Sequence, residues 1–416
     1  MTSAIALHDD QRAAVALATS PDGPRICVIT GSPGTGKSTA TRAIVEHFAG
    51  ISKAVACAAP TGKAALRLAE ASGRPASTIH RILQPMPPRF EFSRTADNPL
   101  DADVVILDEA SMIDIRLMAS LTAALRPRAR LILVGDVNQL PAVGPGNVLA
   151  DVIASGRVPV ARLTTIKRQN PGALLTGIHA IKDGRPPVIL NRATDDLFLD
   201  ARETPDEIAR TVVDLVTRRL PAKFPGLDVL RDVQVLTAMR ERGPLGCLEL
   251  NRALQAALNG GRDDDAGSRP DAPPKLRLRD KVIQGKNDYG RGIINGDIGF
   301  VRGLERGEDG KAAVQVAFDA PARAVEVPAG ENALTLAYAC TVHKFQGSEC
   351  RVVVIPLHAS QAHMLTRSWV YTAISRAKEC CVLVGSRAAL SQAVKITRGT
   401  ERTTGLASMI RAGAAA

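Results

Sequence analysis

The sequence predicts an α/β protein in which two parallel-sheet domains follow one another along the chain. Short, nearly continuous apolar runs alternate with helical patterns, as expected for a parallel sheet that is covered on both faces. At roughly 100–200 residues per domain, a chain of 416 residues fits two or three domains. The apolar runs form two series, so we expect one domain at 1–155 and a second at 156–416.

The strand-like runs and two interruptions give the order of the predicted elements. The first series is RICVITG (25–31), KAVACAAP (53–60), DVVILDEA (103–110) and RLILVGD (130–136), and the second is DVQVLTAM (232–239), RVVVIPL (351–357) and ECCVLVGS (379–386). A Pro-rich stretch with alternating aromatic residues, about 85–100, predicts an exposed hairpin or loop in the first domain. Alternating residues and Gly turns at about 296–333 predict a small β insertion in the second domain.

Composition limits the classes of partner and of compartment. The net charge of +11 and the pI near 9.6 favour a polyanionic partner, nucleic acid before a membrane surface, although a generally basic soluble protein stays possible. The seven Cys are odd in number and none are spaced as CxxC, which indicates reduced cysteines in a cytoplasmic protein rather than a zinc site or a disulfide framework. No apolar run approaches 18 residues, and the first residues lack a signal-peptide pattern, so we expect no membrane association.

A phosphate-binding loop follows the first predicted strand. GSPGTGKS (31–38) fits the pattern GxxxxGK[ST] and precedes a helical pattern, which is the context that this motif requires. Backbone N–H groups of such a loop and the helix N-terminus bind phosphate oxygens. Lys37 is expected to reach the β- and γ-phosphates and Ser38 to ligate Mg²⁺. The predicted nucleotide-binding set is Gly34, Thr35, Gly36, Lys37, Ser38 and Thr39.

Acidic and amide residues follow two later strands. Asp108 and Glu109 end the run VVILDEA, where carboxylates of a parallel sheet face the ligand crevice. We expect Asp108 to complete the Mg²⁺ site and Glu109 to accept the proton of the attacking water. Gln139 follows the next strand and is a candidate γ-phosphate sensor, with an ordinary turn residue as the alternative. These residues predict nucleotide hydrolysis, but they do not indicate which process the hydrolysis drives.

The order of further motifs resembles superfamily 1 helicases, specifically the RecD-like and Dda-like branch. The motifs span nearly the whole chain: HDDQRAAV (8–15), GSPGTGKST (31–39), APTGKAALRL (59–68), STIHRIL (77–83), DEASMID (108–114), VGDVNQLPAVGPG (134–146), IKRQN (166–170), AYACTVHKFQGSE (337–349) and VYTAISRAK (370–378). The resemblance implies two RecA-like domains with ATP and Mg²⁺ in the cleft between them, and a small β-barrel as the insertion. It also implies an ATP-dependent DNA helicase that moves 5′→3′ on single-stranded DNA and separates duplex at single-strand junctions, as a monomer.

The same resemblance implies further roles on the nucleotide. Gln11 is similar to the residue that pairs with the adenine edge, and Gly347 and Glu349 to residues on the nucleotide side of the second domain. Arg168 and Arg376 are similar to arginines that the second domain presents to the γ-phosphate, where a guanidinium stabilises charge in phosphoryl transfer. Surface ion pairing is the alternative for either arginine.

Residues similar to DNA-contacting positions occur in both halves. In the first they are Pro60, Thr61, Gly62, Lys63 and His80, and in the second Thr341 and His343. Hydroxyls, backbone N–H groups and one Lys suit a phosphate backbone and carry no sequence information. Phe90 and Phe92 are candidates for a wedge at the duplex fork, with packing of the hairpin as the alternative. His343 has no second ligand at metal-binding spacing, so a core histidine is its other interpretation.

Many superfamily 1 enzymes have an aromatic residue directly before the arginine of IKRQN, where this chain has Lys167. The adenine-stacking residue is therefore unassigned, with Tyr289 as a candidate. A translocating ATPase that leaves duplex intact or acts on RNA stays open, as does a nucleotide-gated DNA-binding regulator that does not turn ATP over.

Overall fold

The computed structural model describes residues 7–86, 91–165, 172–241, 243–260, 275–288, 290–306, 312–319, 322–328, 334–397, 402 and 404–413. The chain divides into two compact units, the first formed by 1–170 with 398–416 and the second by 171–397. Each unit has its own sheet and its own core.

The first unit contains a six-stranded parallel sheet with the order β3-β2-β6-β7-β1-β8. Its strands, including a separate short hairpin of β4 and β5, are β1 (Ile26–Gly31), β2 (Val55–Ala59), β3 (Ala76–Thr78), β4 (Pro85–Met86), β5 (Glu91–Phe92), β6 (Val104–Leu107), β7 (Arg130–Gly135) and β8 (Val160–Leu163). Its helices are α1 (Asp9–Thr19), α2 (Lys37–Gly50), α3 (Gly62–Ser72), α4 (Ile79–Leu83), α5 (Ile115–Ala123) and α6 (Val148–Ala154).

Both faces of this sheet are covered, which explains why its strands are apolar throughout. Successive side chains of a strand point to opposite faces. Val105 and Leu107 of β6 therefore pack with α4, α5 and α6, whereas Val104 and Ile106 pack with α1 and α2. The uninterrupted apolar runs in the sequence predicted this arrangement correctly.

The second unit contains a five-stranded parallel sheet with the order β16-β10-β17-β18-β9. Its strands are β9 (Leu197–Asp200), β10 (Val233–Thr237), β11 (Lys281–Gln284), β12 (Ile298–Arg306), β13 (Ala312–Asp319), β14 (Ala322–Pro328), β15 (Leu334–Leu336), β16 (Ala339–Thr341), β17 (Cys350–Leu357) and β18 (Ala377–Gly385). Its helices are α7 (Ala173–Lys182), α8 (Pro205–Asp214), α9 (Leu220–Lys223), α10 (Val229–Asp232), α11 (Cys247–Leu258), α12 (Arg367–Ile374) and α13 (Arg387–Lys395), and a π-helical segment, Leu215–Arg219, joins α8 to α9.

The β insertion of the second unit forms a sheet of its own. Strands β11 to β15 pair antiparallel in the order β14-β13-β12-β11-β15 and enclose a small core that includes Val282, Val301 and Phe318. The insertion begins at Lys281 rather than near 296. Strands β11 and β15 are part of its sheet, but both lie outside the stretch in which the sequence shows the alternating pattern. Its predicted character, short strands joined by turns, is confirmed.

The division between the units differs from the predicted one at 155/156. Strand β8 pairs in parallel with β1, from Val28 opposite Val160 to Gly31 opposite Leu163, so the first sheet extends past residue 155. A last helix, α14 (Leu406–Gly413), also belongs to the first unit and packs its Leu406 and Ile410 against the core under α6. The C-terminal residues thus return to the unit in which the chain began.

Two groups of residues contribute to the cores. Trp369 and Tyr371 of α12 are fully buried, so they are structural residues rather than stacking platforms. All seven cysteines are free, six of them buried and Cys247 half-buried. In the described ranges, no helix combines the length and the apolar character needed to cross a membrane.

Candidate functional site

The phosphate-binding loop joins β1 to α2 at the carboxyl edge of the first sheet. Gly34 and Gly36 have φ of 82° and 81°, in the left-handed region that glycine adopts without strain, and Gly36 is the N-cap of α2. The Lys37 ammonium donates to the carbonyl oxygens of Gly31 at 2.5 Å and Ser32 at 3.3 Å, so it lies over the loop. Ser38 is an exposed residue, and within the described ranges its hydroxyl makes no hydrogen bond.

Gln11 is completely buried against the same loop. Its Nε2 donates to the carbonyl oxygens of Thr35 at 3.1 Å and Gly36 at 3.4 Å, and its Oε1 accepts from the backbone N–H of His8 at 3.1 Å. The side-chain amide therefore fixes the position of the loop relative to α1. Its predicted contact with adenine stays a prediction, and would require the amide to exchange some of these partners.

The acidic pair follows β6, two strands from β1 in the same sheet. The backbone N–H of Glu109 donates to Oδ1 of Asp108 at 2.9 Å, and Glu109 has a left-handed φ of 50°. Burial raises the pKa of Asp108 from 3.8 to about 6, the charge of Glu109 adds to that rise, and the charges of Lys37 and Arg67 oppose it. The charge of Lys37 thus acts on Asp108, while the roles expected for the two residues on phosphate and on Mg²⁺ stay predictions.

A third strand end, after β7, contributes Asp136 and Gln139, both buried. Oδ1 of Asp136 accepts from the backbone and side-chain nitrogens of Asn138 at 3.0 Å, which forms the turn that carries Gln139. At Gly135, a Cβ atom would lie 3.2 Å from the backbone nitrogen of Ala110. The absence of a side chain at Gly135 therefore lets the segment after Glu109 approach β7.

The predicted DNA-contacting residues of the first unit lie at the ends of β2 and β3. Thr61 caps α3, because its Oγ1 accepts from the backbone N–H of Ala64 at 3.3 Å, while Gly62 is buried and Lys63 half-buried. The ring of His80 lies 5.9 Å from that of Phe92, measured between centroids, and burial lowers the pKa of His80. Phe92 packs partly against the core, which favours the packing alternative for this residue.

In the second unit, a compact turn connects β16 to β17. Oγ1 of Thr341 accepts from the backbone N–H of Lys344 at 3.4 Å, and Gly347 has a left-handed φ of 72°. Burial lowers the pKa of the half-buried His343, so this ring is neutral at pH 7. The carboxylate of Glu349 lies 3.8 Å from the Lys378 ammonium, and both side chains are partly exposed.

Arg376 is buried, with 3% of its surface exposed, and its guanidinium holds this turn. It donates to the carbonyl oxygens of Thr372 at 3.1 Å and Ser348 at 3.4 Å and to the Ser375 hydroxyl at 3.1 Å. It is therefore tied to the segment that carries Gly347 and Glu349. A surface ion pair, the alternative weighed for this arginine, does not fit this burial.

Four further residues fall outside the described ranges: Phe90, Lys167, Arg168 and Tyr289. The roles expected for them stay predictions. In the described part of the chain, no three or more His, Cys, Asp or Glu side chains group as ligands for a metal ion. A Mg²⁺ ion at Ser38 and Asp108 would therefore take its other ligands from phosphate and water, as Mg²⁺ commonly does.

Comparisons with known protein families match three regions of the chain. Residues 6–203 match an AAA domain, 250–318 the SH3 domain of ATP-dependent RecD-like DNA helicases, and 336–384 a UvrD-like helicase C-terminal domain. The "RecBCD enzyme subunit RecD" of Mycobacterium tuberculosis is 34% identical over 435 residues, which cover 96% of this chain and 72% of that protein. The chain belongs to the RecD-like helicase family.

Other relatives agree with this membership. The "ATP-dependent RecD2 DNA helicase" of Deinococcus radiodurans is 41% identical over 395 residues, 94% of this chain and 51% of that protein. The RecD-like chain thus spans about half the length of that relative. Among solved structures, Pif1 helicase from Bacteroides in complex with ADP-AlF3 and ssDNA has a TM-score of 0.59 at 19% identity, covering 99% of this chain and 98% of that one. Pif1 helicase from Candida albicans has a TM-score of 0.53 at 21% identity, with 95% and 98% covered.

These findings confirm the predicted family and the predicted fold. Two RecA-like parallel sheets and a small SH3-type insertion are features that the RecD-like chain shares with its relatives. Two residues with a place in the site, Gly135 and Arg67, lie within motifs quoted above but were given no role there. For Arg67, the spacing of four residues from Lys63 on α3 would have indicated a shared helix face.

Proposed function

We propose that this RecD-like chain is an ATP-dependent DNA helicase that translocates on single-stranded DNA and separates duplex at single-strand junctions. One observation carries the proposal. The cradle lysine Lys37 and the acidic pair of Asp108 and Glu109 lie at one edge of one sheet, with the charge of Lys37 acting on Asp108. A protein that only binds nucleotide would not need Glu109. The family of the chain supports the DNA substrate.

The phosphate site fits ATP with Mg²⁺. The free hydroxyl of Ser38 and the carboxylate of Asp108 are hard oxygen ligands of the kind that Mg²⁺ prefers. Bound Mg²⁺ would neutralise charge on the phosphates during transfer. Gly34, Thr35 and Gly36 would supply backbone N–H groups, and Thr39 lies on the first turn of α2, whose dipole favours anions.

Four side chains would act on the reaction itself. Glu109 would orient the attacking water and accept its proton. Gln139, on the turn after β7, would sense the γ-phosphate. Arg376 would stabilise the charge that develops on the γ-phosphate, as Arg168 would by resemblance. The buried guanidinium of Arg376 is already fixed by Ser348, which would link the nucleotide to the 341–349 segment.

Single-stranded DNA would be bound mainly through its phosphates. Thr61, Gly62 and Lys63 at the start of α3 and Thr341 at the end of β16 offer N–H, hydroxyl and ammonium donors. Binding should therefore be independent of base sequence and should weaken with salt. The other expected contacts on the strand are Pro60, His80, His343 and Phe90.

Further properties follow from the family and belong to the same proposal. We expect 5′→3′ movement, action as a monomer, a role in DNA repair or recombination, and a cytoplasmic location consistent with seven unpaired cysteines.

The experiment is strand separation of a forked duplex with ATP and Mg²⁺, run beside an RNA fork and beside the Lys37→Ala variant. Separation of DNA by the native chain and not by Lys37→Ala supports the proposal. ATP turnover that is stimulated by single strands without separation would identify a translocase only. Turnover absent with and without DNA would identify a nucleotide-gated binding protein and contradict the proposal.

A further inference from the structure

A cavity of about 720 Å³ lies in the second unit, between strand β9 and the π-helical segment Leu215–Arg219. β9 and β16 form opposite edges of the parallel sheet, and Thr341 is the last residue of β16. Asp200, at the carboxyl end of β9, lines the cavity, whereas Arg376 precedes the amino end of the neighbouring strand β18. The cavity is thus separate from the residues of this unit that have a role in the proposed function.

Pro221 explains why the helix widens beside this cavity. A proline inside an α-helix has no N–H to donate, and its ring clashes with the carbonyl group four residues earlier. Here the N–H of Leu220 donates to the carbonyl oxygen of Leu215, five residues earlier, and α9 then begins with Pro221 in its first turn. π-helical turns are rare and concentrate at functional sites. Leu215, Arg219 and Leu220 of this wide turn all line the cavity.

The charged side chains of the lining are mostly cationic. They include Arg202, Arg219 and Lys223, and Asp200 is the one carboxylate of the lining among the described residues. Oδ1 of Asp200 lies 3.0 Å from Nη2 of Arg202, and Oδ2 accepts from Nη1 of Arg219 at 2.5 Å. The side chain of Asp200 is 11% exposed, against 41% for Arg202 and 49% for Arg219. A molecule that approaches from solvent therefore meets the two guanidinium groups before it meets the carboxylate.

Two of these cations have N–H groups to offer a ligand. A guanidinium has five N–H donors, and Asp200 is the partner that the structure records for Arg219 within the described ranges. The Lys223 ammonium lies 4.0 Å from the centroid of the Phe198 ring, which also lines the cavity, and 3.5 Å from the carbonyl oxygen of Ala193. Arg219 and Lys223 thus combine available donors with an aromatic ring beside them.

The floor of the cavity is apolar. Phe198, Leu215 and Leu220 line it and pack with the core of the unit. Cys380 also lines it, but burial raises the pKa of this thiol to about 12, and the charge of Lys223 opposes that rise only in part. The thiol is therefore protonated at pH 7 and does not act as a nucleophile. The cavity is suited to reversible binding.

The edge of β9 is closed to a peptide strand at Leu199. Nδ2 of Asn191 donates to the carbonyl oxygen of Leu199 at 2.8 Å, and Oδ1 of Asn191 accepts from the backbone N–H of Leu199 at 2.9 Å. These bonds occupy the backbone groups that an added strand would use. A ligand inside the cavity therefore fits this edge better than a peptide that extends the sheet.

We propose that this cavity binds a small organic anion, with a phosphate or carboxylate head on Arg219 and Lys223 and a flat apolar body on Phe198 and Leu215. A planar guanidinium pairs with two oxygens of either head group. An apolar lining with a few polar groups that fix orientation is typical of small-molecule sites of this size. The proposal does not depend on the proposed function, which uses none of these residues.

The test is isothermal titration calorimetry of the full chain with naphthyl phosphate and with naphthoate. Saturating ADP and Mg²⁺ are present throughout, so that the phosphate-binding loop is occupied. Naphthylmethylamine has a comparable flat body with a positive charge, and inorganic phosphate has the head without the body. We expect saturable binding of at least one naphthyl anion, with a dissociation constant lower by about tenfold or more than that of either control.

Two adjacent arginines give a matched pair of variants. Arg219→Gln should weaken binding of the naphthyl anions by roughly ten- to a hundredfold, because it removes a charged donor from the head group. Arg202 still pairs with Asp200 in this variant, so the buried carboxylate keeps a cation. Arg218→Gln is the control: Arg218 pairs with Asp214 and does not line the cavity, so binding should stay within about twofold of the native chain.

Ala201→Trp is a second variant, at an exposed position of the lining. The indole should fill part of the cavity and abolish binding, which decides the matter if Arg219→Gln fails to fold. Native affinity in either variant would overturn the proposal, as would the lack of saturable binding by the native chain.

The ligand controls add two further outcomes. Equal affinity for naphthylmethylamine would show that charge does not select the ligand, and equal affinity for inorganic phosphate would show that the apolar floor is not used. Either result would overturn the proposal. Binding that is lost in Lys37→Ala and kept in Arg219→Gln would assign the anion to the phosphate-binding loop instead. None of these results depends on strand separation, so the proposed function is tested independently.

Discussion

The backbone N–H of Glu109 donates a 2.9 Å hydrogen bond to Oδ1 of Asp108, while the Glu109 backbone has a left-handed φ of 50°. A non-glycine residue in this conformation is uncommon, and such residues concentrate at functional sites. The backbone leaves the extended conformation of the strand at Glu109, and Oδ1 of Asp108 accepts from the Glu109 N–H, whereas the structure records no such backbone bond for the Glu109 carboxylate among the described residues. The two acids can therefore have separate roles, one on Mg²⁺ and the other on water.

Glu109→Gln tests this separation. The amide has the size of the carboxylate but cannot accept the proton, so we expect turnover stimulated by DNA to fall by roughly 10²–10⁴-fold while ATP binding is retained. Turnover and binding of a fluorescent ATP analogue are the measurements. Glu70→Gln, on the exposed side of α3, is the control and should match the native chain. Unchanged turnover in Glu109→Gln would remove this residue from the reaction.

The pKa of Asp108, about 6, predicts an effect of pH on stability without nucleotide. Because this pKa lies above the unfolded value of 3.8, the folded state holds the proton more tightly, and ionisation of Asp108 destabilises it at pH above about 6. Asp108→Asn should raise the free energy of unfolding by roughly 1–3 kcal/mol at pH 8, and by much less near pH 4. Urea unfolding at both pH values measures it. A gain of the same size at both would contradict the raised pKa.

The same group predicts how turnover depends on pH. A carboxylate must be ionised to hold Mg²⁺, so we expect Mg²⁺-dependent turnover to decline as pH falls through about 6, with part of the loss recovered at higher Mg²⁺ concentration. Turnover measured from pH 5 to 8 at two Mg²⁺ concentrations checks this. If the pH profile of turnover is the same at both Mg²⁺ concentrations, the loss of turnover at low pH is due to a group other than Asp108.

Alanine substitutions at Gly135 and at Gly50 test whether close packing at Gly135 positions the acidic residues. Gly50 serves as the control position. An alanine at 135 would bring its Cβ within 2.8 Å of Leu149 Cδ2 and 3.2 Å of the Ala110 nitrogen, so the backbone after Glu109 must shift. We expect Gly135→Ala to lower kcat by about tenfold and to lower the free energy of unfolding by about 1–2 kcal/mol. Gly50→Ala, where no atom lies within 4 Å, should leave kcat unchanged and stabilise α2 slightly. Equal kcat in both variants would contradict the positioning role of Gly135.

Lys63 and His343 should differ in the salt dependence of DNA binding. If the Lys63 ammonium contacts a phosphate, Lys63→Ala should reduce the slope of log K against log salt by about 0.7. Burial lowers the pKa of His343, so the ring is neutral at pH 7.5 and releases no counterion. His343→Gln should weaken binding and leave the slope unchanged. A smaller slope for His343→Gln would show that this ring is charged when bound to DNA.

The sequence predicted the parts of the site that depend on local motifs. Lys37 follows a strand and opens a helix, and Asp108 ends a strand, so their positions needed only the order of neighbouring elements. The burial of Arg376 and its bond to Ser348 were not predictable, because they join residues 28 positions apart through the packing of α12 and β17.

The division between the two units and the start of the β insertion were predicted less well than the elements themselves, because two short strands at these places have weak sequence signals. Strand β8 has only four residues, of which Leu163 alone is buried, so its apolar signal is weak. Strand β11 lies 14 residues before the next strand of the insertion and was visible only through its pairing with β12 and β15. Both strands are specified by their partners in the sheet rather than by their own sequence.

The most direct test of the central claim is unwinding of two matched duplexes, one with a 5′ single-stranded tail and one with a 3′ tail, in the presence of ATP and Mg²⁺. The account predicts separation of the 5′-tailed duplex by the native chain, little separation of the 3′-tailed one, and none of either by Lys37→Ala. ATP turnover that responds to single-stranded DNA while both duplexes stay intact would contradict the claim that this chain is a helicase.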